Sequence, residues 1–347
     1  MLVPLLLPLL LSESLNGVLV IGGTGRLGRS VCKLLREKNV ETTVLVRDLA
    51  TAQTLPELAG CELVQGNVCD LESLRRVLLL QKFASVISVH GTSPPRLSRL
   101  TDLSGAQVAE ANHPATVNYQ GVCNILAAMK EARVKRLVRV TGALAGKPNK
   151  VFCALFNLLL SFTVKYHELS EMAIRASGVE YAVIRPTGIR DEPSAASQNA
   201  ALDSPPDATK AEDSATLSKR SRRTGLVALP GDGRENVRLP GKISVADLAA
   251  LCVAGAEGGA SWPPRSTLVV STDSVPTPGG TDPAVRDTWA KVFAPAGVTA
   301  DSRALTAGAH RRNALVLVAA LVGSVAGAVL GLLKAFGALV ALLRALL

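Results

Sequence analysis

A chain of 347 residues, 48% of them hydrophobic, is long enough for one large α/β domain or two smaller ones. Its 38 Lys+Arg against 28 Asp+Glu leave a formal charge of +10, which suits a phosphate-bearing ligand or an anionic membrane surface. With two Trp, three Tyr and six Phe, none interleaved with a basic run, the composition argues against stacking recognition of single strands, and no nucleic-acid partner is expected.

Residues 1–16 read as an apolar N-terminal segment that lacks the basic start and small-residue cleavage site of a secretory signal. A short apolar strand, Val18 to Ile21, then runs into a glycine-rich turn and a helix from Arg26 to Lys38, with Leu27, Val31, Leu34 and Leu35 at helical spacing. In the GxxGxxG series Gly22 makes the tight turn, Gly25 lets backbone approach a diphosphate, and Gly28 lets helix and strand pack closely. The helix N-terminus would face the anion. Glycine loops also serve as plain turns, but a second strand at Thr42 to Val46 completes the strand–turn–helix–strand unit of a dinucleotide site. The predicted cofactor-binding stretch is Gly22, Thr24, Gly25, Arg26, Leu27 and Gly28.

Further strands are expected at Glu62 to Gln65, Ser85 to Val89, Arg136 to Val140 and Tyr181 to Ile184, separated by helices at Leu71 to Leu79, Val117 to Ala132 and Val164 to Ser177. This alternation predicts an α/β fold, a doubly wound parallel sheet of Rossmann type over residues 17–190. The six cysteines form no CxxC and have no histidine at metal-ligand spacing, so free thiols in a reducing compartment and no metal site are expected.

From 191 to 224 the chain holds no aromatic or β-branched aliphatic residue and reads as a flexible insertion. Its KRSRR end, Lys219 to Arg223, suits either phosphate or lipid contact or a solvated loop flank. Residues 225–275 are expected to continue the domain on the substrate side, with Ser244 capping a helix and Asp247 completing the cap. A Pro/Gly/Thr-rich linker with one short helix follows over 276–313.

Residues 314–347 read as a membrane anchor. Ala314 to Leu333 are twenty residues without a charge, and twenty helical residues reach about 30 Å, the thickness of a bilayer core. Arg311 and Arg312 outnumber Lys334, which places the N-terminal domain on the reducing, cytosolic or stromal-type side. Gly323, Gly327 and Gly331 recur every fourth residue and form either a face for helix–helix self-association or a by-product of small-residue content.

Five motifs in order carry a resemblance: IGGTGRLG at Ile21 to Gly28, VLVRD at Val44 to Asp48, GNVCD at Gly66 to Asp70, VNYQGVCNILAAMKEARVKRLVRVTG at Val117 to Gly142, and SGVEYAVIRPTGI at Ser177 to Ile189. The chain resembles the atypical short-chain dehydrogenase/reductases, the NmrA-like or NAD(P)H-binding type with an extended Rossmann fold. The resemblance implies Asn67 and Val68 beside adenine, Val89 near the second ribose, and Pro186 near the nicotinamide. NAD-preferring enzymes place an acid at the end of the second strand, whereas this chain has Arg47, which can take a 2′-phosphate through paired hydrogen bonds. With Arg26 as a second cation, NADP(H) is expected over NAD(H). Asp48 is the alternative ribose ligand, or a cap for the next helix.

Reductases of the wider family use a Tyr and a Lys four residues apart, and this chain has no YxxxK. Counting back from Ser177 puts Thr163 and His167 at those positions, with Glu171 matching an acid common in that helix. Thr141 falls where relatives carry a substrate-orienting hydroxyl, so Thr141, Tyr166 and His167 are the candidate catalytic residues. Two functions remain open: a membrane-anchored NADPH-dependent oxidoreductase on a small or lipophilic substrate, or a non-catalytic dinucleotide-binding regulator or assembly factor.

Overall fold

The computed structural model describes residues 17–92, 110–145, 151–191, 224–230, 241–258, 262–276, 312–320 and 322–324. In chain order the sheet strands are β1 (Val18–Ile21), β2 (Thr42–Val46), β3 (Glu62–Gln65), β4 (Ser85–Ser88), β5 (Arg136–Val140), β6 (Glu180–Pro186), β8 (Thr224–Pro230) and β10 (Arg265–Pro276). The order β3-β2-β1-β4-β5-β6-β10-β8 makes seven parallel strands edged by one antiparallel strand. Strands β7 (Ile189–Arg190) and β9 (Ile243–Ser244) pair separately. The α-helices of the sheet-bearing region are α1 (Arg26–Glu37), α2 (Leu49–Gln53), α3 (Leu71–Leu80), α4 (Gly121–Glu131), α5 (Val151–Leu159), α6 (Thr163–Ala176) and α7 (Val245–Glu257).

Strands β1 and β2 are buried at every residue, as parallel strands covered on both faces must be. Alternation divides them between two cores. Val18, Val20, Val44, Val138 and Ile184 pack against Val31, Cys32 and Leu35 of α1 and Leu248, Leu251 and Cys252 of α7. Leu19, Ile21, Leu45, Leu137 and Val183 pack on the other face against Leu74, Val77 and Leu78 of α3, Ile125 and Met129 of α4 and Ile174 of α6. Each such side chain contributes roughly 1.5–3 kcal/mol when fully buried.

Three elements depart from the expectation. The helix predicted from Val117 begins as a π-helical turn over Ala115–Gln120 before α4 takes over. Helix α5 was not expected. No strand was expected where β10 forms, at the end of the 225–275 stretch, and its backbone pairs with both β6 and β8. Only LVV within it is strongly apolar, and the rest is held by the ladder rather than by a hydrophobic pattern.

Ser244 caps α7 as expected, accepting the Asp247 N–H at 3.0 Å and donating to the Asp247 carboxylate at 2.8 Å. The insertion between 191 and 224, most of the 276–313 linker and residues 1–16 lie outside the described residues. Of the predicted spanning segment, 314–320 and 322–324 are helical, and 321 and 325–333, including Gly327 and Gly331, lie outside the described residues. Among the described residues no helix is long and apolar enough to cross a membrane.

Candidate dinucleotide site

The strand order reverses between β1 and β4, and a crevice opens at their carboxyl ends, where doubly wound sheets bind ligands. Gly22 sits there with φ of +91°, and a Cβ on it would lie 2.7 Å from the His90 nitrogen, so the glycine permits both the turn and the close approach of the two strand ends. Gly28 plays a different part. A Cβ there would fall 2.1 Å from the Gly22 carbonyl oxygen and 2.6 Å from the Gly23 Cα, which identifies it as the contact that seats α1 on the turn. The N-cap of α1 is Gly25, which supplies no side-chain cap, and the first turn holds no acidic residue. These amide groups and the helix dipole are thus left for an anion.

A cavity of about 440 Å3 runs from this turn along the strand ends. Of the predicted residues, Gly22, Thr24, Gly25, Arg47, Asn67, Val68 and Val89 line it. Gly28 and Leu27 do not; Leu27 packs against the α1-side core. Arg26 lies outside as well, in an exposed pair with Asp191 at 2.8 Å. Pro186 ends β6 and accepts the Ala143 N–H at 3.1 Å, away from the lining.

At the end of β2 the two ribose candidates separate. Asp48 caps α2, accepting the Thr51 N–H at 3.2 Å and the Thr51 hydroxyl at 2.5 Å, and these bonds hold its carboxyl below the usual range. Arg47 faces the cavity, and its charge reaches the Cys69 thiol, which burial pushes up against it. Asn67 accepts the Cys69 N–H at 3.0 Å, which shapes the turn under Val68, while Asn124 donates to the Val68 carbonyl at 2.9 Å.

Cys69, within the Gly66–Asp70 turn, and His90, beside Val89, also line the cavity, as do Thr92 and Val117, which were not foreseen. His90 is half-buried, and its imidazole is held well below its ordinary range by burial and then by Arg139. Its Nε2 faces the Val117 carbonyl oxygen at 3.1 Å and so carries the proton, leaving Nδ1 to accept from Arg139 at 3.2 Å. Asn118 accepts the Thr92 N–H at 3.1 Å and donates to its hydroxyl at 3.2 Å. The π-helical turn therefore pins the loop after β4, in keeping with the frequent use of such turns at functional sites.

The candidate catalytic residues do not line the cavity, although His167 lies near enough to the cavity-lining His90 for the two imidazoles to interact electrostatically. The Thr141 hydroxyl donates to Glu171 at 2.6 Å. Glu171 is fully buried and also accepts from Arg185 Nε at 3.0 Å and Arg175 at 3.0 Å. Arg139, buried beside them on β5, donates to the His90 carbonyl at 2.8 Å and the Ser88 hydroxyl at 3.0 Å, and burial pulls it down to about 10. Burial, then the Arg139 charge, push the His167 imidazole down to about 3, so it is neutral near pH 7. Tyr166 packs edge-on to His113 with ring centroids 5.6 Å apart. None of Thr141, Tyr166 and His167 lines the cavity. The legible signal for this cluster was a charge inside an apolar strand: Arg139 in RLVRV and Arg185 in EYAVIRP each demand a buried partner.

A family model described as NAD(P)H-binding matches residues 22–216. The photosystem II assembly factor Ycf39 of Synechocystis sp. is 29% identical over 121 residues, 35% of this chain and 32% of that protein. Its counterpart from Trieres chinensis is 27% identical over 174 residues, 49% of this chain and 45% of that protein. The chain thus spans about a third to under half the length of these curated relatives. Among solved structures, a wide-type short-chain dehydrogenase/reductase from Veillonella parvula in complex with NADP superposes with a TM-score of 0.51 at 12% identity, covering 77% of this chain and 99% of that one, a likeness of fold.

Proposed function

The chain belongs to the NAD(P)H-binding family, and on that premise we propose that it is a membrane-tethered holder of NADP(H) with a regulatory or assembly role. The observation that carries this reading is a separation. The glycine turn and Arg47 share one cavity, whereas Thr141, Tyr166 and His167 lie off it, with the Thr141 hydroxyl committed to Glu171 and His167 neutral. The likeness of a stretch of the chain to photosystem II assembly factors supports the same reading.

In this reading the α1 N-terminus and Gly25 take the diphosphate, Asn67 and Val68 flank the adenine, Val89 meets the second ribose, and Arg47 takes the 2′-phosphate. Arg26 supplies a second cation, since its exposed pair with Asp191 is readily exchanged. Arg47→Asp is expected to abolish the preference for NADPH over NADH, a change of about 10-fold or more, because a charge-assisted hydrogen bond contributes about 1.5–3 kcal/mol. Parallel titrations with both cofactors read it, and an unchanged ratio removes Arg47 from the site.

Catalysis is tested by mixing the cofactor-loaded protein with carbonyl, quinone and enoyl compounds and following NADPH absorbance. Stable binding without consumption is expected. Substrate-dependent consumption that falls in Tyr166→Phe or His167→Ala would instead establish the oxidoreductase. The tether rests on the twenty uncharged residues 314–333, with Gly323, Gly327 and Gly331 offering a packing face to a second helix. It holds the domain on a reducing side. Alkaline carbonate extraction of membranes is expected to leave the protein in the pellet, and release into the supernatant would refute the tether.

A further inference from the structure

Helix α5 inverts the usual pattern of a surface helix. Its exposed residues Val151, Phe152, Phe156 and Leu159 are 69, 68, 45 and 52% accessible. At about 100° per residue these four fall within one arc of about 140°, and Cys153, Ala154 and Asn157, which are buried, fall on the opposite side. The face turned outward is wholly apolar, whereas a globular helix turns its polar face to water.

The surrounding sequence points to what covers it. Val151 to Val164 is a run of 14 residues without a charge, preceded by Lys147 and Lys150 and followed by Lys165. Lys165, half-buried, lays its ammonium 5.7 Å from the Phe162 ring and 5.4 Å from the Tyr166 ring. Nine residues reach only about 13 Å, well short of the roughly 30 Å needed to span a bilayer, so such a helix can only lie in the interface plane. A protein partner would call for hydrogen-bonding groups around an apolar centre, and the outward arc of α5 has none. Bulky apolar side chains flanked by lysines, on a chain of net charge +10, match an anionic lipid surface.

We propose that α5 is an interfacial membrane-binding helix that inserts Val151, Phe152, Phe156 and Leu159 into an anionic leaflet. It rests on the tether reading for its setting, but its own contact with lipid is separately measurable. Lys165 then stands at headgroup level, and the helix holds the α6 side of the domain against the bilayer.

The test uses the full chain with Phe156→Trp, and in parallel Leu159→Trp, in vesicles of phosphatidylcholine and phosphatidylglycerol with brominated acyl chains. The parent, with Trp262 and Trp289, supplies the background, and Lys33→Trp on α1, across the sheet, supplies the control. The emission added at 156 and 159 is expected to be quenched by at least half, and that added at 33 to be unaffected. If the parent floats with vesicles while both added signals stay unquenched, α5 is not in lipid and the tether stands. If the parent does not float, the tether fails. A blue shift at 156 that depends on protein concentration without vesicles would assign the face to a second copy and overturn the proposal. Unaltered NADPH binding by each variant checks its fold.

Discussion

Gly28→Ala is expected to lower NADPH affinity by at least 100-fold, with the largest effect of any single methyl added to the site. Its Cβ would lie 2.1 Å from the Gly22 carbonyl oxygen and 2.6 Å from the Gly23 Cα, both backbone atoms that a side-chain rotation cannot move. Helix α1 must therefore lift from the turn, and the N–H groups it presents to the diphosphate lose their aim. Overpacking of this kind costs about 1–3 kcal/mol of stability as well. Gly142→Ala is the internal control, since nothing lies within 4 Å of its Cβ. Fluorescence titration with NADPH and urea unfolding of both variants would separate the effects. Unchanged affinity in Gly28→Ala would mean that the contact between α1 and the turn does not shape the cofactor site.

Glu171→Gln should be the most destabilising charge-removing substitution, by about 3–5 kcal/mol, because it leaves buried arginine charge without its carboxylate. Glu171 is fully buried, bonds Arg185 and Arg175, and accepts the Thr141 hydroxyl. Burial alone would raise its pKa, but the Arg185 charge and hydrogen bonds, then Arg175 and Thr141, more than offset this and hold the carboxyl at about 2. A carboxylate depressed in the folded state contributes stability that is present above its ordinary value of 4.5 and lost as pH falls from there toward about 2. Urea unfolding between those limits should show a falling stability in the parent and a flatter profile in Glu171→Gln. Parallel profiles would mean that another carboxylate dominates the acid limb.

The legible part of the fold was the part written in apolar periodicity. VLVI, TTVLV and RLVRV are short apolar runs between turn signals, and each forms the strand expected. Strand β10 was not legible because RSTLVVSTDSVP is mostly polar and owes its place to backbone pairing with β6 and β8. Helix α5 escaped because its apolar residues occupy both faces, which leaves no polar stripe to mark a surface helix.

The candidate site divides in the same way. Glycines and the end of β2 announce themselves locally, and Gly22, Gly25 and Arg47 do line one cavity. Which of Arg47 and Asp48 faces it was decided by a cap: Asp48 spends its carboxylate on Thr51, a choice settled by the start of α2. His90 and Asn118 depend on contacts 27 and 26 residues apart, which no local pattern encodes. His167 occupies the position counted from Ser177, but its burial beside Arg139 could be read only from the packed structure.

Equilibrium titration of the full-length chain with NADPH and with NADH, followed by cofactor fluorescence with absorbance monitored throughout, bears most directly on the account. One saturable site per chain is expected, tighter for NADPH, with no loss of NADPH absorbance as binding completes. Absence of saturable binding by either cofactor would contradict it, and would reduce the Gly22–Gly28 turn and the cavity beside Arg47 to features of the fold alone.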